Sequence, residues 1–212
     1  MELDLHQSCD SMPGLFWPHR RQVANRDIGV PRILIIYATA DGHTRKICER
    51  MQERLRSNGA QVTLIEVADA GLVDPSRYDC IAIGGSVRYG KHDARLLEFM
   101  LHNEGLLKEK HSAFFSVNLV ARKPEKRTIE GNVYVRKFLQ ALPYRPDQVE
   151  IIAGKLEYPN YGFLDRLMIR LIMKMTGGPT DPKTVVDYTD WDGVDRFADH
   201  LATASKASQA TS

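Results

Sequence analysis

Hydrophobic residues along the chain fall into two repeating patterns, short apolar runs and longer segments with helical spacing. Residues 33–37 are apolar throughout and rich in β-branched side chains, which is typical of a strand that is buried on both faces. Residues 44–57 instead place apolar side chains at every fourth position, and the pair Asn58-Gly59 follows as a helix stop. The first two elements are therefore predicted to be a strand and a helix.

The same two patterns alternate through the rest of the chain. They predict further strands within 61–67, 78–86, 111–119 and 149–156, and helices over 94–101, 131–142 and 190–202, the last of them capped by Asp190. Strands that alternate with helices form parallel sheets with helices on both faces. We therefore expect an α/β fold with a doubly wound sheet of five parallel strands.

Residues 32–204 are expected to form this single domain, with a helical insertion at about 158–182 beside the last strand. Residues 1–31 mix prolines, charges and isolated aromatic residues without a period, so they are predicted to be a disordered extension, and 205–212 a polar tail. The extension contains no apolar core of a signal peptide. No run approaches the roughly 20 apolar residues of a membrane-spanning helix.

Composition excludes several classes of protein. The net charge is only +2 and the isoelectric point about 8.4, so a nucleic-acid partner is not expected. The three cysteines are widely spaced and include no CxxC pair. That spacing predicts neither a disulfide framework nor a metal site, and it favours a reducing compartment.

Three of the predicted strands end in residues that suit a flat, phosphorylated ligand. In open parallel sheets, ligands bind beyond the carboxyl ends of the strands. The first strand is followed by hydroxyl groups and a helix start, which can hold a phosphate dianion, and the third by glycines and a tyrosine that can stack on a ring. The predicted cofactor-binding residues are Thr39, Ala40, Asp41, Gly42, His43, Thr44, Gly85, Ser86, Val87, Arg88, Tyr89, Ser116, Val117, Asn118 and Leu119.

Each of these features also has a simpler interpretation. The threonines can serve only as a helix cap, Gly84-Gly85 as a tight turn, and Tyr89 as an aromatic residue at a rim. His43 is expected to be a surface or capping residue rather than a base. The Rossmann and Walker glycine patterns are absent, which disfavours a dinucleotide or a nucleoside triphosphate. The three strand ends together favour a flat phosphorylated cofactor.

Several longer motifs carry a resemblance to a known family. Between about residues 33 and 202 the chain contains, in order, TADGHT, GGSVRYG, FFSVNLVARKPEKRT, YVRKFL, IAGKLEYP, DRLMIRLIMKMTGG and YTDW. Together these resemble the menaquinone-dependent protoporphyrinogen IX dehydrogenases, the flavodoxin-type enzymes of bacterial haem synthesis. Two positions depart from the expected pattern: Asp41 stands where ordinary flavodoxins usually have an uncharged residue, and Ala40 where the family often has an arginine.

The resemblance implies a flavodoxin-like fold, an FMN cofactor and a membrane-peripheral enzyme. Such an enzyme oxidises protoporphyrinogen IX in successive two-electron steps and passes the electrons to menaquinone or ubiquinone, at the cytoplasmic face of the bacterial inner membrane. Two alternatives stay open. One is an NAD(P)H:quinone oxidoreductase on the same fold. The other is a soluble flavodoxin-like electron carrier, which a net charge of +2 disfavours because such carriers are usually strongly acidic. No catalytic base is assigned.

A basic segment follows the fourth predicted strand. Protoporphyrinogen carries two propionates, and the fork of an arginine matches the geometry of a carboxylate. Arg122, Lys123 and Arg127 are therefore candidate substrate-binding residues. The alternatives are a solvated loop and a patch that binds anionic lipid.

Residues 161–178 are predicted to form an amphipathic helix within the insertion. Arg166, Arg170 and Lys174 recur at a spacing of four, and apolar side chains fill most of the remaining circumference. This combination suits a helix that lies in the membrane interface with its basic groups near anionic lipid. The candidate membrane-contacting residues are Leu167, Arg170, Leu171, Ile172 and Lys174. The alternative is a helix that covers the sheet or contacts another subunit.

Overall fold

A computed structural model of the chain describes residues 29–175 and 177–211. Its centre is a sheet of five strands, β1 (Arg32–Ala38), β2 (Gln61–Glu66), β3 (Cys80–Ser86), β4 (His111–Asn118) and β5 (Gln148–Ala153). The strand order is β2-β1-β3-β4-β5, and all neighbouring strands are parallel. The predicted doubly wound sheet is confirmed. Residues 1–28 of the predicted extension lie outside the described residues.

Helices cover both faces of this sheet, because alternate residues of each strand point to opposite sides. The helices are α1 (His43–Ser57), α2 (Ala94–His102), α3 (Glu104–Glu109), α4 (Val133–Gln140), α5 (Phe163–Met175) and α6 (Trp191–Thr211). Ile33 and Ile35 of β1 belong to the cluster with α1 and α6, whereas Leu34 and Ile36 belong to the cluster with α2, α3 and α4. All four side chains are fully buried.

The helix ends explain where the sequence-based bounds are right and where they are not. Gly59, at a φ of 84°, ends α1 as predicted, and the Asp190 carboxylate caps α6 by accepting from the Gly193 amide at 2.9 Å. Helix α4 begins two residues later than predicted because the side chain of Asn132 caps it. Helix α3 was not predicted, because it has six residues and Leu107 is its one buried residue. So short a segment shows no helical period of apolar side chains.

Helix α6 extends further than expected, through most of the segment that was predicted to be a polar tail. Ser205 is fully buried against the rest of the domain. The Gln209 side-chain amide donates to the Val30 carbonyl at 3.2 Å and to the Asp79 carboxylate at 2.9 Å. The end of the helix therefore holds the chain that enters β1.

The predicted fifth strand, 149–156, is two strands. At Gly154 the chain leaves the central sheet, with a last hydrogen bond of 3.2 Å from the Gly154 amide to the Asn118 carbonyl. It continues as β6 (Lys155–Glu157), which pairs antiparallel with β7 (Val185–Asp187). The segment around β7 therefore does not resume the edge of the main sheet.

Helix α5 lies between β6 and β7 and forms the predicted insertion. Met173 is its one buried residue, in a small cluster with Leu156, Tyr158 and Tyr161. Within residues 29–175 and 177–211, no helix is both long and apolar enough to cross a membrane.

The basic stripe predicted along α5 is divided between two environments. Arg166 is partly buried and donates to the backbone carbonyls of Tyr158 and Tyr161, each at 3.2 Å. Arg170 and Lys174 are exposed. Only the second half of the stripe therefore faces solvent.

Gly84 and Gly85 lie inside β3, so the interpretation as a tight turn is wrong. A β carbon on Gly84 would stand 2.1 Å from the carbonyl oxygen of Phe115, and one on Gly85 would stand 2.8 Å from that of Ala38. Both contacts are with backbone, which cannot move aside as a flexible side chain can. Close packing against the neighbouring strands therefore requires glycine at both positions.

The packing argument predicts that Gly84→Ala destabilises the protein by about 3 kcal/mol, through overpacking of the sheet. Gly105→Ala is the matched control, because its added methyl group would meet no described atom within 4 Å apart from its chain neighbours and the backbone of its own helix. Gly105 lies in α3, where alanine is favoured over glycine by about 0.5–1 kcal/mol. Urea denaturation measures both changes. Equal effects of the two substitutions would contradict the packing argument.

Candidate functional site

A cavity of about 300 Å³ opens at the carboxyl edge of the central sheet. The loops that follow β1, β3 and β4 line it, and α5 forms one wall. The predicted cofactor-binding residues line this cavity except for Gly42, Gly85 and Ser116, which are sequence neighbours of residues that do. The structure thus brings the three predicted strand ends together.

The loop after β1 presents hydrogen-bond donors to the cavity. The hydroxyl oxygens of Thr39 and Thr44 are buried and have no hydrogen-bond partner among the described residues. Gly42, at a φ of 77°, stands before α1 without a side-chain cap, and the first backbone bond of the helix runs from Lys46 to Gly42. The earlier amides therefore lack partners within the helix. Buried donors at the positive end of a helix fit a phosphate, and the interpretation of the threonines as a cap is wrong.

The loop after β3 makes a tight turn over the cavity. Arg88 and Lys91 exchange two backbone hydrogen bonds of 2.9 and 3.0 Å, and both Tyr89 and Gly90 have positive φ angles, 51° and 78°. A tyrosine in this left-handed region is uncommon, since its β carbon crowds the backbone there. The turn leaves the Tyr89 ring 64% exposed at the mouth of the cavity, in agreement with a rim position.

Arg88 connects three segments around this mouth. Its Nη1 donates to Asp41 Oδ1 at 3.0 Å, in the loop after β1, and its Nη2 donates to Asp165, in the first turn of α5. The hydroxyl of Tyr89 donates to the same Asp165 carboxylate. The hydrogen bond from Tyr89 and the charge of Arg88 lower the pKa of Asp165, so this group is ionised at neutral pH.

The inner side of α5 is the apolar wall of the cavity. Met168, Ile169, Ile172 and Met173 line it together with Asp165. One side of the insertion therefore faces the site, and the apolar residues that do not line the cavity lie on its outer side.

His43 lines the cavity but is held by groups behind it. The hydroxyl of Thr189 donates to the Ala153 carbonyl at 2.9 Å, so it accepts from His43 Nε2, which lies 2.8 Å away. Burial lowers the pKa of His43, and the nearby Asp187 carboxylate opposes that effect. The ring also meets Trp191 edge-on. His43 is therefore neither an exposed residue nor a helix cap, and it is neutral at pH 7.

A buried polar network lies beneath the end of β4. His92 Nε2 is 2.8 Å from the hydroxyl of Ser116, which also accepts from the side-chain amide of Asn118 at 3.0 Å. Asn118 in turn accepts from Asn132, the cap of α4, at 3.2 Å. This chain fixes the loop after β4 relative to the loop after β3. Burial lowers the pKa of His92 to about 4.

The basic segment after β4 lies outside the cavity lining. The guanidinium of Arg122 donates to the Leu119 carbonyl at 3.1 Å, and that of Arg127 donates to the Ala121 carbonyl at 2.9 Å. The cationic residues that do line the cavity are Arg88 and Lys155. A substrate role for Arg122, Lys123 and Arg127 stays a prediction.

Comparisons with known proteins agree with this geometry. A family model described as a flavodoxin domain matches residues 34–183, which include the insertion. The protoporphyrinogen IX dehydrogenase [quinone] of Escherichia coli K12 is 45% identical over 171 residues, covering 81% of this chain and 94% of that protein. The chain belongs to the protoporphyrinogen IX dehydrogenase family. It is therefore an oxidoreductase, and it contains a flavodoxin domain.

The protoporphyrinogen IX dehydrogenase family extends beyond bacteria. A member from Leishmania major is 39% identical over 173 residues, covering 81% of this chain and 75% of that protein. An NAD(P)H dehydrogenase (quinone) from Paraburkholderia phymatum is 27% identical over 95 residues, covering only 35% of this chain and 48% of that protein.

Asp41 differs from ordinary flavodoxins and Ala40 from the family pattern, and the two residues have different surroundings in the structure. Asp41 has a partner, since its carboxylate pairs with Arg88 from the loop after β3. Ala40 is exposed and lines the cavity, so the small side chain brings no charge to the loop after β1. The hydrogen-bond donors that this loop offers to an anion are therefore hydroxyl groups and helix amides.

Sequence reasoning missed the roles of His92, Asn132 and Asp165. His92 contacts Ser116, 24 positions away in the chain, and Asn132 contacts Asn118, 14 positions away. No local sequence pattern indicates contacts between residues so far apart. Asp165 did leave a signal, because it is the one acidic residue of a helix that is otherwise apolar and basic. A lone carboxylate on such a helix indicates a specific cationic partner.

The lowered pKa of His92 predicts a pH dependence of stability. His92 binds a proton more tightly in the unfolded chain, where the pKa of histidine is roughly 6.5, than in the folded protein. The contribution of neutral His92 to the free energy of unfolding is therefore complete above that pH. It is lost as the pH falls toward 4, at up to about 1.4 kcal/mol per pH unit. His92→Gln should flatten the dependence of the unfolding free energy on pH in this window. His102→Gln, at the exposed end of α2, is the matched control, and an unchanged slope in His92→Gln contradicts the assignment.

Proposed function

We propose that the protein oxidises protoporphyrinogen IX to protoporphyrin IX, using FMN as its cofactor and a quinone as electron acceptor. The observation that carries the proposal is the 45% identity to a protoporphyrinogen IX dehydrogenase [quinone] over 94% of that protein. The cavity supports it, because a phosphate-type cradle and an apolar wall meet at one sheet edge. Haem biosynthesis is the expected pathway.

FMN fits the cavity through its phosphate. The Thr39 and Thr44 hydroxyls and the first amides of α1 would hold the dianion, since the hydroxyl oxygens are buried without partners among the described residues and the amides have no partner within the helix. The backbone after β3 and the segment Ser116–Leu119 would lie along the ring, with Tyr89 at its edge. Bound FMN supplies the acceptor for the hydrogens that leave the porphyrinogen, and this chemistry belongs to the cofactor.

The chain itself contributes orientation and exclusion of water. The network of His92, Ser116 and Asn118 fixes the end of β4, against which the ring would rest. Met168 and Ile172 cover the cavity with apolar surface. His43 is neutral and held by Thr189, so the structure gives no reason to assign it a proton-transfer step.

Peripheral attachment to an anionic membrane, at the cytoplasmic face of a bacterial inner membrane, is part of the proposal. On the outer side of α5, Leu164, Leu167 and Leu171 are 76%, 59% and 58% exposed, and Arg170 and Lys174 are exposed at the rim of this apolar face. An exposed apolar face beside cationic groups suits the interface of an anionic bilayer.

A membrane position also gives the quinone a route to the site. Menaquinone and ubiquinone are dissolved in the bilayer, and the inner side of α5 lines the cavity. Met168 and Ile172 belong to both surfaces, because each lines the cavity and is also more than a third exposed. Apolar surface is therefore continuous from the outer face of α5 to the cavity.

The proposed reaction is tested by incubating the FMN-loaded protein with protoporphyrinogen IX and a quinone under anaerobic conditions and following porphyrin fluorescence. Fluorescence should rise only when both protein and quinone are present. A parallel assay measures oxidation of NADH and NADPH. Turnover of nicotinamide without porphyrin formation would favour the NAD(P)H:quinone oxidoreductase, and FMN binding without either reaction would favour an electron carrier.

Thr39→Ala with Thr44→Ala should weaken FMN binding, because each charge-assisted bond to the phosphate contributes roughly 1.5–3 kcal/mol. We expect the Kd to rise by at least about tenfold, measured by quenching of FMN fluorescence. Thr203→Ala, on the exposed side of α6, is the control and should leave the Kd unchanged. An unchanged Kd in the double variant of the folded protein refutes the phosphate assignment.

The triple variant Leu164→Gln, Leu167→Gln and Leu171→Gln should abolish sedimentation with liposomes that contain anionic lipid, because it removes the apolar face of α5. Activity with a long-chain quinone should fall while activity with a water-soluble quinone is kept. None of the three residues lines the cavity. Leu72→Gln, at a residue that is 82% exposed outside α5, is the control. Sedimentation of the triple variant with liposomes would rule out α5 as the anchor.

A further inference from the structure

We propose that Arg88 binds a carboxylate of the tetrapyrrole substrate, and that Asp165 occupies Arg88 until the substrate carboxylate replaces it. The inference rests on the proposed function, because it names the group that recognises the substrate at the same site. It also gives the insertion a role in substrate selection.

The contacts of Arg88 are those of a carboxylate-binding group. Asp41 takes one of its terminal nitrogens and Asp165 takes the other. Each carboxylate binds through a single nitrogen, whereas a guanidinium can present two to one carboxylate. Arg88 is also 39% exposed at the mouth of the cavity, so a ligand can reach it.

The other candidate cations are less suitable as substrate anchors. Lys155 lines the cavity but is paired with Glu157 at 2.8 Å and is only 22% exposed. Arg122 and Arg127 donate to backbone carbonyls of their own loop. Arg88 combines exposure with a position on the cavity wall.

In this proposal the wall of the cavity moves to admit a second large ligand. A volume of about 300 Å³ is at the lower end of ligand pockets, so it suits one cofactor-sized molecule and not a tetrapyrrole in addition. The wall that faces the mouth is α5. Met173 anchors the end of α5, and Arg166 joins its first turn to the Tyr158 and Tyr161 carbonyls. Asp165 is the group that joins this turn to the mouth, through Arg88 and Tyr89.

Exchange of one carboxylate for another conserves the charges around Arg88. Before the exchange its partners are Asp41 and Asp165, and afterwards they are Asp41 and a substrate propionate. Arg88 keeps two anionic partners, and Asp165 passes to solvent as the first turn of α5 lifts. A flat molecule without a carboxylate has no group to offer in place of Asp165. The exchange would therefore favour a dicarboxylic tetrapyrrole over its uncharged analogues.

The test compares protoporphyrinogen IX with its dimethyl ester, in which both propionates are capped. The FMN-loaded wild type is expected to prefer the acid in kcat/KM. In Arg88→Gln the ratio of kcat/KM for the acid to kcat/KM for the ester should fall by about 10- to 100-fold, mainly because the KM for the acid rises. Arg95→Gln is the matched control, because Arg95 pairs with Asp93 on the surface.

Asp165→Asn gives the opposite expected result. An asparagine can still accept from Tyr89 but competes less well for Arg88, so the KM for the acid should fall several-fold while the KM for the ester changes less. This gain separates the proposal from a structural role, since a damaged fold would not improve acid binding. Arg88→Lys keeps the charge without the fork and should give an intermediate ratio.

Equilibrium binding of protoporphyrin IX and of its dimethyl ester, followed by porphyrin fluorescence, gives a readout that does not need turnover. If the wild type binds the acid selectively and Arg88→Gln loses this selectivity, the role of Arg88 is supported. That holds even if the wild type oxidises neither compound, because the absence of oxidation would refute only the proposed function. The proposal is overturned if Arg88→Gln leaves acid selectivity unchanged. It is also overturned if selectivity is lost in R122A/R127A instead, or if Asp165→Asn weakens binding of the acid.

Discussion

Parallel strands place their carboxyl ends at one edge of the sheet, and the arrangement of the cavity depends on this constraint. The loops after β1, β3 and β4 are far apart in the chain, yet the strand order β2-β1-β3-β4-β5 makes them neighbours. The close approach of β3 to the strands beside it requires Gly84 and Gly85. The packing of the sheet therefore sets the distances within the site.

Electrostatic balance is the second condition on the site. The loop after β1 would hold the phosphate of the proposed cofactor, and an unpaired carboxylate at Asp41 would repel that anion. The pairing of Asp41 with Arg88 at 3.0 Å weakens this repulsion and also ties the loop after β1 to the loop after β3. The same guanidinium reaches Asp165, so the charge balance and the position of α5 are coupled.

The sequence was sufficient to predict the central fold, because strands buried on both faces and helices with period-four apolar residues are local patterns. The predicted residues from Thr39 to Thr44 could be found for the same reason, since hydroxyl groups at a strand–helix junction are contiguous. The split of the predicted fifth strand at Gly154 could not be predicted, because the separate pairing of β6 depends on β7, about 30 residues later. The contacts of Arg88 with Asp165 and of His92 with Ser116 depend likewise on tertiary structure.

We propose that electrons leave the porphyrinogen through a flavin held in the cavity. A single-turnover experiment tests this most directly. The FMN-loaded protein is mixed anaerobically with protoporphyrinogen IX in the absence of quinone. We expect the visible absorbance of the flavin to decrease as FMN takes two electrons from the porphyrinogen. Porphyrin formation requires three such two-electron steps, so porphyrin fluorescence should rise only after added quinone restores the flavin absorbance and allows further turnover. Porphyrin formation with no change in flavin absorbance, or no reaction by a protein that retains its FMN, would contradict this proposal.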